Sequence, residues 1–509
     1  MDRRTVLKGL GAFAAFGGVG EALAATVVGV TKTEIKIGNT MPYSGNASSY
    51  GVIGKGAAAF FRMVNENGGV GGRKITFITL DDGYIPAKTV EQTRRLVEQD
   101  EVAFLFNPLG TPNNTAIHRY INGRKVPHLF LATGADKWGN PKDFPWTMGW
   151  QPSYRTEAQI YAKYIRANKP AAKAALIYQN DDFGKDYLIG LKDELKADFD
   201  KMFTKIVTYE SSDATVDSQV VAMKDSGADT LVTAAIPKFA AQTIRKAFDI
   251  GWKPLHFMSN VSSSVGATIN PAGPEKAVGV ITSQYLKDNS DPSWKTDAGM
   301  NEWRAFMAKY IPDGDMLDGG YVFSYGVCTT MLQVLKQCGD DFSRENIMKQ
   351  AANIKKLTVP VLLPGVTVST GPAHFHPIQQ MQLTRWTGTT YERFGDVIDA
   401  SACAPAPPPR RAAAGGVCYS RSTAAAWATQ SSNAARSCQR AAAARVTNTP
   451  PEAAIAPSII RLSRMPGKSS TSSPSPSVAA PEPRNPRVRS TNSAALLLQP
   501  NTGRPRARM

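Results

Sequence analysis

Cysteine, histidine and long apolar runs are all scarce in this chain, which has five cysteines and five histidines among 509 residues. Cys328 and Cys338 share the stretch VCTTMLQVLKQCG, which reads as a helix. At a rise of about 1.5 Å per residue they stand about 15 Å apart, beyond the reach of a disulfide. Cys403, Cys418 and Cys438 follow no metal-ligand spacing. A disulfide framework is therefore excluded, and the fold must rest on its core. No segment reaches the roughly 18 continuous apolar residues of a spanning helix. G-x-S-x-G, H-E-x-x-H and G-x-x-x-x-G-K-[ST] are all missing, so no hydrolase elbow, zinc protease helix or phosphate loop is expected. His374 and His376 in PAHFHPI could share a strand face as metal ligands, but without a third ligand they read as loop or surface histidines. Asp313, Asp315 and Asp318 lack the calcium-loop spacing and read as turn caps, as do Asp81 and Asp82.

The two ends differ in kind from the middle. DRRTVLKG, the apolar run LGAFAAFGGVG and the small-residue site Ala22–Leu23–Ala24 form an export signal over residues 1–24, with Arg3-Arg4 in the twin-arginine manner. From about Ala400 the composition turns to Ala, Pro, Ser and Arg, and no periodicity survives. That is the composition of a disordered tail over 400–509. It carries fourteen arginines and Lys468 against Glu452 and Glu482, so most of the formal net charge of +17 belongs to it. The arginines are dispersed and aromatics are few, which argues against a nucleic-acid arm and for a tail without selected function, as an out-of-frame extension would give. Nucleic acid is not expected as a partner of the folded part.

Between Glu34 and Asp399 short apolar strands alternate with amphipathic helices. EIKIGNT, KITFITLDD, VAFLFN and VPHLFLATG read as strands, with helices opened by Pro86 and Pro112 between them. The rhythm restarts with a helix through EAQIYAKYIRANK, strand AKAALIYQ, a helix from Gly184, strand ADTLVTAA, a helix from Pro237 and strand LHFMS. This alternation predicts an α/β fold with parallel sheets, and the length calls for two Rossmann-like lobes. Each strand end hands over to small, hydroxyl or amide residues: MPYSGNASSYG, NPLGTPNN, ATGADKW, YQNDDFGKD, AAIPKFA and SNVSSSVG. Two such rims facing each other make a small-molecule cleft, because open α/β sheets bind at strand carboxyl ends beside helix N-termini.

The stretches EIKIGNTMPYSGNASSYG, FFRMVNENGGVGGRKITFITLDDG, VPHLFLATGADKW and YQNDDFGKD resemble the type I periplasmic substrate-binding proteins of branched-chain amino-acid-type ABC transporters, over residues 34–397. The resemblance implies a non-enzymatic, periplasmic, monomeric binder without a cofactor, which closes two lobes on a ligand and delivers it to an inner-membrane permease. It implies three hinge crossings near Thr147, Ser283 and Pro360, hence one lobe of 34–147 plus 284–359 and another of 148–283 plus 360–398.

The same resemblance makes Tyr50 a tyrosine beside the ligand, and places Leu109, Gly110 and Thr111 on the loop that holds a carboxylate. It puts Ala132, Thr133, Gly134 and Asp136 on a second such loop, and makes Phe183 an aromatic that packs on the ligand from the other lobe. Helix N-terminal N–H groups and a hydroxyl can neutralise a carboxylate without an arginine. Val261 stands where amino-acid binders carry an acid, and Ile236 where they often carry tyrosine. A buried ammonium without a carboxylate partner is costly. Unless Asp136 compensates, the expected ligand is an aromatic or aliphatic acid, with a hydrophobic amino acid as the other candidate. Trp150, Tyr154 and Tyr285, near the crossings, are placed to stack on it or to pack the hinge. Two other readings stay open: a periplasmic sensor of the same fold, and an exported α/β enzyme.

Overall fold

Strands buried on both faces need helices above and below, and the chain supplies them by alternating the two. The computed structural model describes residues 27–399; the export signal read at 1–24, the tail read at 400–509 and its three cysteines lie outside the described residues. Five strands form a first, wholly parallel sheet: β1 (Glu34–Met41), β2 (Lys74–Asp81), β3 (Phe104–Phe106), β4 (His128–Leu131) and β5 (Thr147–Gly149). Their order is β2-β1-β3-β4-β5. The second sheet holds β6 (Ala174–Gln179), β7 (Phe203–Tyr209), β8 (Thr230–Ala234), β9 (Leu255–Met258), β10 (Ile281–Gln284), β11 (Gln380–Trp386) and β12 (Tyr391–Asp399). Its order is β12-β11-β10-β9-β8-β6-β7, parallel except for the pairs β10–β11 and β11–β12.

Each sheet has one place where successive connections depart in opposite directions. In the first it lies between β1 and β3, and in the second between β6 and β8. At such switch points the loops leaving the strands splay apart and leave a crevice. The loops concerned are MPYSGNASSYG and NPLGT in the first sheet, and NDDF and AIP in the second. Topology alone therefore aims four loops at one space.

The helices begin where local chemistry favours them. In α2 (Pro86–Glu98) proline stands at the first helical position, and in α3 (Thr111–Gly123) Pro112 follows at the second. The helix α5 (Asp182–Leu195) starts two residues before the expected Gly184, because Asp181 accepts hydrogen bonds from Phe183 N and Gly184 N. The pattern expected from sequence passes from that helix directly to ADTLVTAA. The structure inserts β7 and a helix, Asp217–Asp225, between them. FTKIVTY is an edge strand whose faces alternate between buried and open, so it lacks the continuous apolar run of its neighbours.

After β10 the chain returns to the first sheet's side. There the helix Gly319–Gln337 packs on α1 (Gly51–Glu66), with Ser324 Oγ donating to Ile53 O at 2.9 Å and Phe60 lying 5.3 Å from Tyr325 edge-on. Cys328 and Cys338 are free and buried on or beside that helix.

Helix α4 (Tyr154–Asn168) and α5 pack closely because Gly190 has no side chain: a Cβ there would meet Arg155 O at 2.1 Å and Ala158 Cβ at 2.8 Å. Gly190→Ala should lower stability by roughly 1–3 kcal/mol in urea unfolding, the scale of overpacking a core. Gly123→Ala, with nothing within 4 Å of its new methyl, should not.

Candidate functional site

The polar loop that joins β1 to α1 is held in shape by Asp81. Its carboxylate accepts from Tyr43 N at 2.9 Å, from Ser44 Oγ at 2.6 Å and from Gly83 N at 3.0 Å. Asp82 holds the next turn through Tyr84 N and Thr89 Oγ1. Both acids are turn caps, as their position after a strand suggests. The loop they shape crosses to the other sheet's rim. Asn46 Nδ2 donates to Ser211 O at 2.9 Å and Tyr50 Oη to Val261 O at 3.0 Å, while Lys238 Nζ donates to Asn46 Oδ1 at 2.9 Å. Further along, Gln179 Nε2 donates to Tyr84 Oη at 3.2 Å, Ser264 Oγ to Asp318 Oδ1 at 3.0 Å, and Asp136 N to Asp186 Oδ2 at 2.8 Å. Burial pushes the Asp186 carboxyl up to about 7, with the charges of Asp136 and Asp182 adding to the effect. The two rims are thus hydrogen-bonded to each other around a cavity of about 120 Å³.

Aromatic rings make much of its wall. Tyr154 lies 4.6 Å from Phe183, both in contact with the cavity, and Tyr50, Tyr84, Tyr285 and Phe323 add further rings beside aliphatic residues such as Leu109, Ile236 and Val261. Burial holds the phenols of Tyr50, Tyr84 and Tyr154 well above their ordinary range, so they stay neutral. Tyr84 adopts φ 62, a left-handed conformation unusual for a ring-bearing residue and found where function demands it.

The polar end is α3. Its first residue, Thr111, lines the cavity, and its hydroxyl lies 2.6 Å from Thr133 Oγ1. No side chain caps this helix, whose N-cap Gly110 has φ 102. The Thr111 N–H has no acceptor within its own helix, so it adds to the positive end of the helix dipole. The helices that begin at Asp182 and Gly319 also start near the cavity, but there Asp181 and Asp318 occupy the N-caps. Among these three, α3 alone lacks a side-chain cap; the helices that begin at Tyr154 and Pro237 also open on the cavity without one, but the Tyr154 N–H donates to Gly134 O at 2.8 Å and Pro237 has no N–H to offer.

Behind the wall sits Glu157, fully buried on α4. Its carboxylate accepts from Tyr161 Oη, Tyr187 Oη, Asn260 N (2.9 Å), Asn260 Nδ2 (2.5 Å) and Ser283 Oγ (2.7 Å). Burial raises its pKa, and these donors pull it back toward the charged form. Asn260 and Ser283 themselves line the cavity.

A family model described as periplasmic binding protein matches residues 34–390. The chain belongs to the periplasmic binding protein family. It is similar to Leu/Ile/Val-binding protein homolog 1 of Brucella suis, 24% identical over 301 residues that cover 55% of this chain and 78% of that protein. Homolog 8 of Brucella abortus is 22% identical over 359 residues, 67% of this chain and 85% of its own. The fold is similar to that of a branched-chain amino acid ABC transporter protein from Thermus thermophilus with bound valine: TM-score 0.66, 14% identity, covering 73% of this chain and 97% of that one. It is also similar to an R. palustris ABC transporter solute-binding protein in complex with benzoate: TM-score 0.61, 18% identity, covering 72% and 98%. The architecture is thus the two-sheet α/β fold of type I periplasmic binding proteins.

Nine of the thirteen residues singled out from sequence line the cavity: Tyr50, Leu109, Gly110 and Thr111 with Ala132 on the first sheet's side, and Phe183, Ile236, Val261 and Tyr285 on the other or at the crossing. Four do not. Thr133 is buried behind Thr111, and Gly134 lies where a Cβ would strike Pro152 O at 2.4 Å. Trp150 is fully buried, 5.1 Å from Phe323 and 6.0 Å from Tyr285, with its indole N–H on Thr330, so it packs against the helix Gly319–Gln337. Asp136 faces Ser153 Oγ and Arg155 outside the cavity and supplies no carboxylate to it. His374 pairs with Gln379 and His376 lies 3.8 Å from Asp136; among the described residues no group of three His, Cys, Asp or Glu could hold a metal.

Sequence reasoning missed Glu157, Asn260, Tyr84 and Asp318. The i,i+4 pair Glu157–Tyr161 in a buried helix and the tyrosine of DDGY were the available signals. Glu157→Ala leaves Ser283 Oγ and both Asn260 donors without the carboxylate, whereas Tyr161 Oη and Tyr187 Oη keep Met258 O and Ser259 Oγ as acceptors. It should cost roughly 3 kcal/mol or more in chemical unfolding, against at most about half that for Glu157→Gln, which keeps one acceptor oxygen.

Proposed function

We propose that this chain is the periplasmic solute-binding component of an ABC importer. It acts as a monomer, without enzymatic activity, and hands a small carboxylate-bearing ligand to an inner-membrane permease. The working lobes are 34–147 with 284–359 and 148–283 with 360–398, hinged near Thr147, Ser283 and Pro360. The observation that carries this reading is the uncapped N-terminus of α3, which opens with Thr111 into a cavity walled by aromatic rings. Helix N-terminal N–H groups and a hydroxyl suit a carboxylate, and the rings suit an apolar or aromatic body.

The ligand is an aromatic or aliphatic acid in preference to leucine, isoleucine or valine. Val261 offers the cavity loop no carboxylate, and its carbonyl already accepts from Tyr50. The relatives named for Leu/Ile/Val binding and the neighbours holding valine or benzoate support a small carboxylate as the common element. A third neighbour, a fatty acid ABC transporter substrate-binding protein from Thermomonospora curvata, is consistent with an acid whose body is apolar.

A thermal-shift series of monocarboxylic acids and amino acids tests the reading. Aromatic or aliphatic acids should raise the unfolding temperature more than the branched-chain amino acids do. A ligand at 100 times its Kd adds about 2.7 kcal/mol of stability. Tyr50→Ala and Phe183→Ala should each weaken binding by roughly 1–3 kcal/mol with little loss of fold. Thr111→Val should weaken acids and spare their neutral amides. Micromolar binding of leucine with no response to simple acids contradicts the ligand class, and wild-type affinity in both aromatic variants contradicts the site.

A further inference from the structure

Two acids line the cavity, Asp288 and Asp318. Asp288 is half-buried and turned to its own loop, where its Oδ1 accepts from Ser290 N at 2.7 Å. Lys287 beside it is already balanced, 2.7 Å from Asp297 Oδ1 and 2.8 Å from Pro360 O. Neither acid's Oδ2 has a hydrogen-bond donor among the described residues, but Asp318 is the more buried of the two and bonds to another element. It is only 8% exposed, and its Oδ1 is fully used: it accepts from Gly320 N at 2.9 Å and from Ser264 Oγ at 3.0 Å. Its Oδ2 accepts no hydrogen bond from any described residue. That oxygen is not sealed from solvent, and the residue lines the space that a ligand would fill, so it is open to a donor from outside the chain.

We infer that Asp318 is a specificity-determining residue whose Oδ2 accepts a hydrogen bond from a hydroxyl or ammonium group on the end of the ligand remote from its carboxylate. The inference rests on the carboxylate reading above and adds the second pole of the same ligand. The two poles sit on different elements, Thr111 opening α3 and Asp318 capping the helix Gly319–Gln337. Thr111 touches Thr133 and, through Gly110, lies beside Tyr84 and Asn113. Asp318 touches Ser264 and Gly320, which packs against Val52 and Ile53. A ligand that satisfies both therefore presents its carboxylate to the start of α3 and a hydrogen-bond donor to the start of the helix Gly319–Gln337. Ser264 and Asp318 come from opposite rims, so the carboxylate that reads the ligand's far end also joins the two sides.

Calorimetric titration of the full chain with matched acids tests this. Phenylacetate is compared with its para-hydroxy and para-aminomethyl analogues, and hexanoate with its ω-hydroxy and ω-amino analogues. At least one donor-bearing analogue should bind about tenfold or more tighter than its parent, the scale of a hydrogen bond to a charged group. Whichever donor gains identifies hydroxyl or ammonium. In Asp318→Asn, which presents an amide where Oδ2 stood, and in Asp318→Ser, the ratio of analogue to parent affinity should fall to about one, whatever the change in the parents' own affinity. Both replacements are good N-cap residues, so the helix start survives in each, and the wild-type ratio is read without either. Parents that bind as tightly as both analogues, or a gain that survives both substitutions, overturn the assignment. If no parent and no analogue binds, the carboxylate reading has failed and this inference falls with it.

Discussion

Glu157 is a buried carboxylate held by hydroxyls and amides instead of a cation, and the binding cavity is built on it. Its five donors come from α4, α5, the loop after β9 and strand β10. Removing such a charge from water is costly unless its oxygens are satisfied, so each partner is held to one position. Two of those partners, Asn260 and Ser283, form part of the cavity's surface. Ser283 also sits where the chain leaves the second sheet for the first. One interaction thus fixes the floor of the site and one end of a crossing segment.

On that floor the cavity is arranged by charge. Helix α3 is left without a capping side chain, whereas Asp181 and Asp318 cap the helices that begin at Asp182 and Gly319; the helices that begin at Tyr154 and Pro237 are uncapped too, but the Tyr154 N–H donates to Gly134 O and Pro237 has no N–H. The result is one end with unmet N–H groups and another with a half-satisfied carboxylate, separated by neutral rings. A solute with a carboxylate and an apolar body fits this polarity, and it needs no buried arginine to do so. The rims already meet through Asn46, Tyr50 and Ser264, and of these Tyr50 and Ser264 also line the cavity.

Much of this was legible in the sequence, and the physical reason is the strand-to-helix handover. Polar loops after apolar strands mark carboxyl ends, and Tyr50, Thr111 and Phe183 sit on such loops in the cavity wall. What the sequence did not tell was which way a side chain turns within an irregular loop. Thr133, Gly134 and Asp136 lie on a loop correctly placed at a rim, yet their side chains or Cα face Thr111, Pro152 and Arg155. Trp150 is as apolar as any ligand-stacking ring, and only its packing against Phe323 shows that it is buried away from the cavity. Asp318 read as a turn cap in PDGDMLDGG, and it is one; that its second oxygen faces no donor depends on the opposite rim, which no local pattern encodes. The edge strand β7 was missed for a related reason, since a half-exposed strand lacks the apolar run that marked its neighbours.

The most direct measurement is a crystal structure of the chain with a small aromatic or aliphatic acid bound. The account predicts the ligand intact in the cavity between the two sheets, with a carboxylate oxygen within hydrogen-bond distance of the Thr111 N–H or hydroxyl and its body against Tyr50, Tyr154 and Phe183. A ligand seated elsewhere, a carboxylate turned away from α3, or a chemically altered product in the cavity would contradict it.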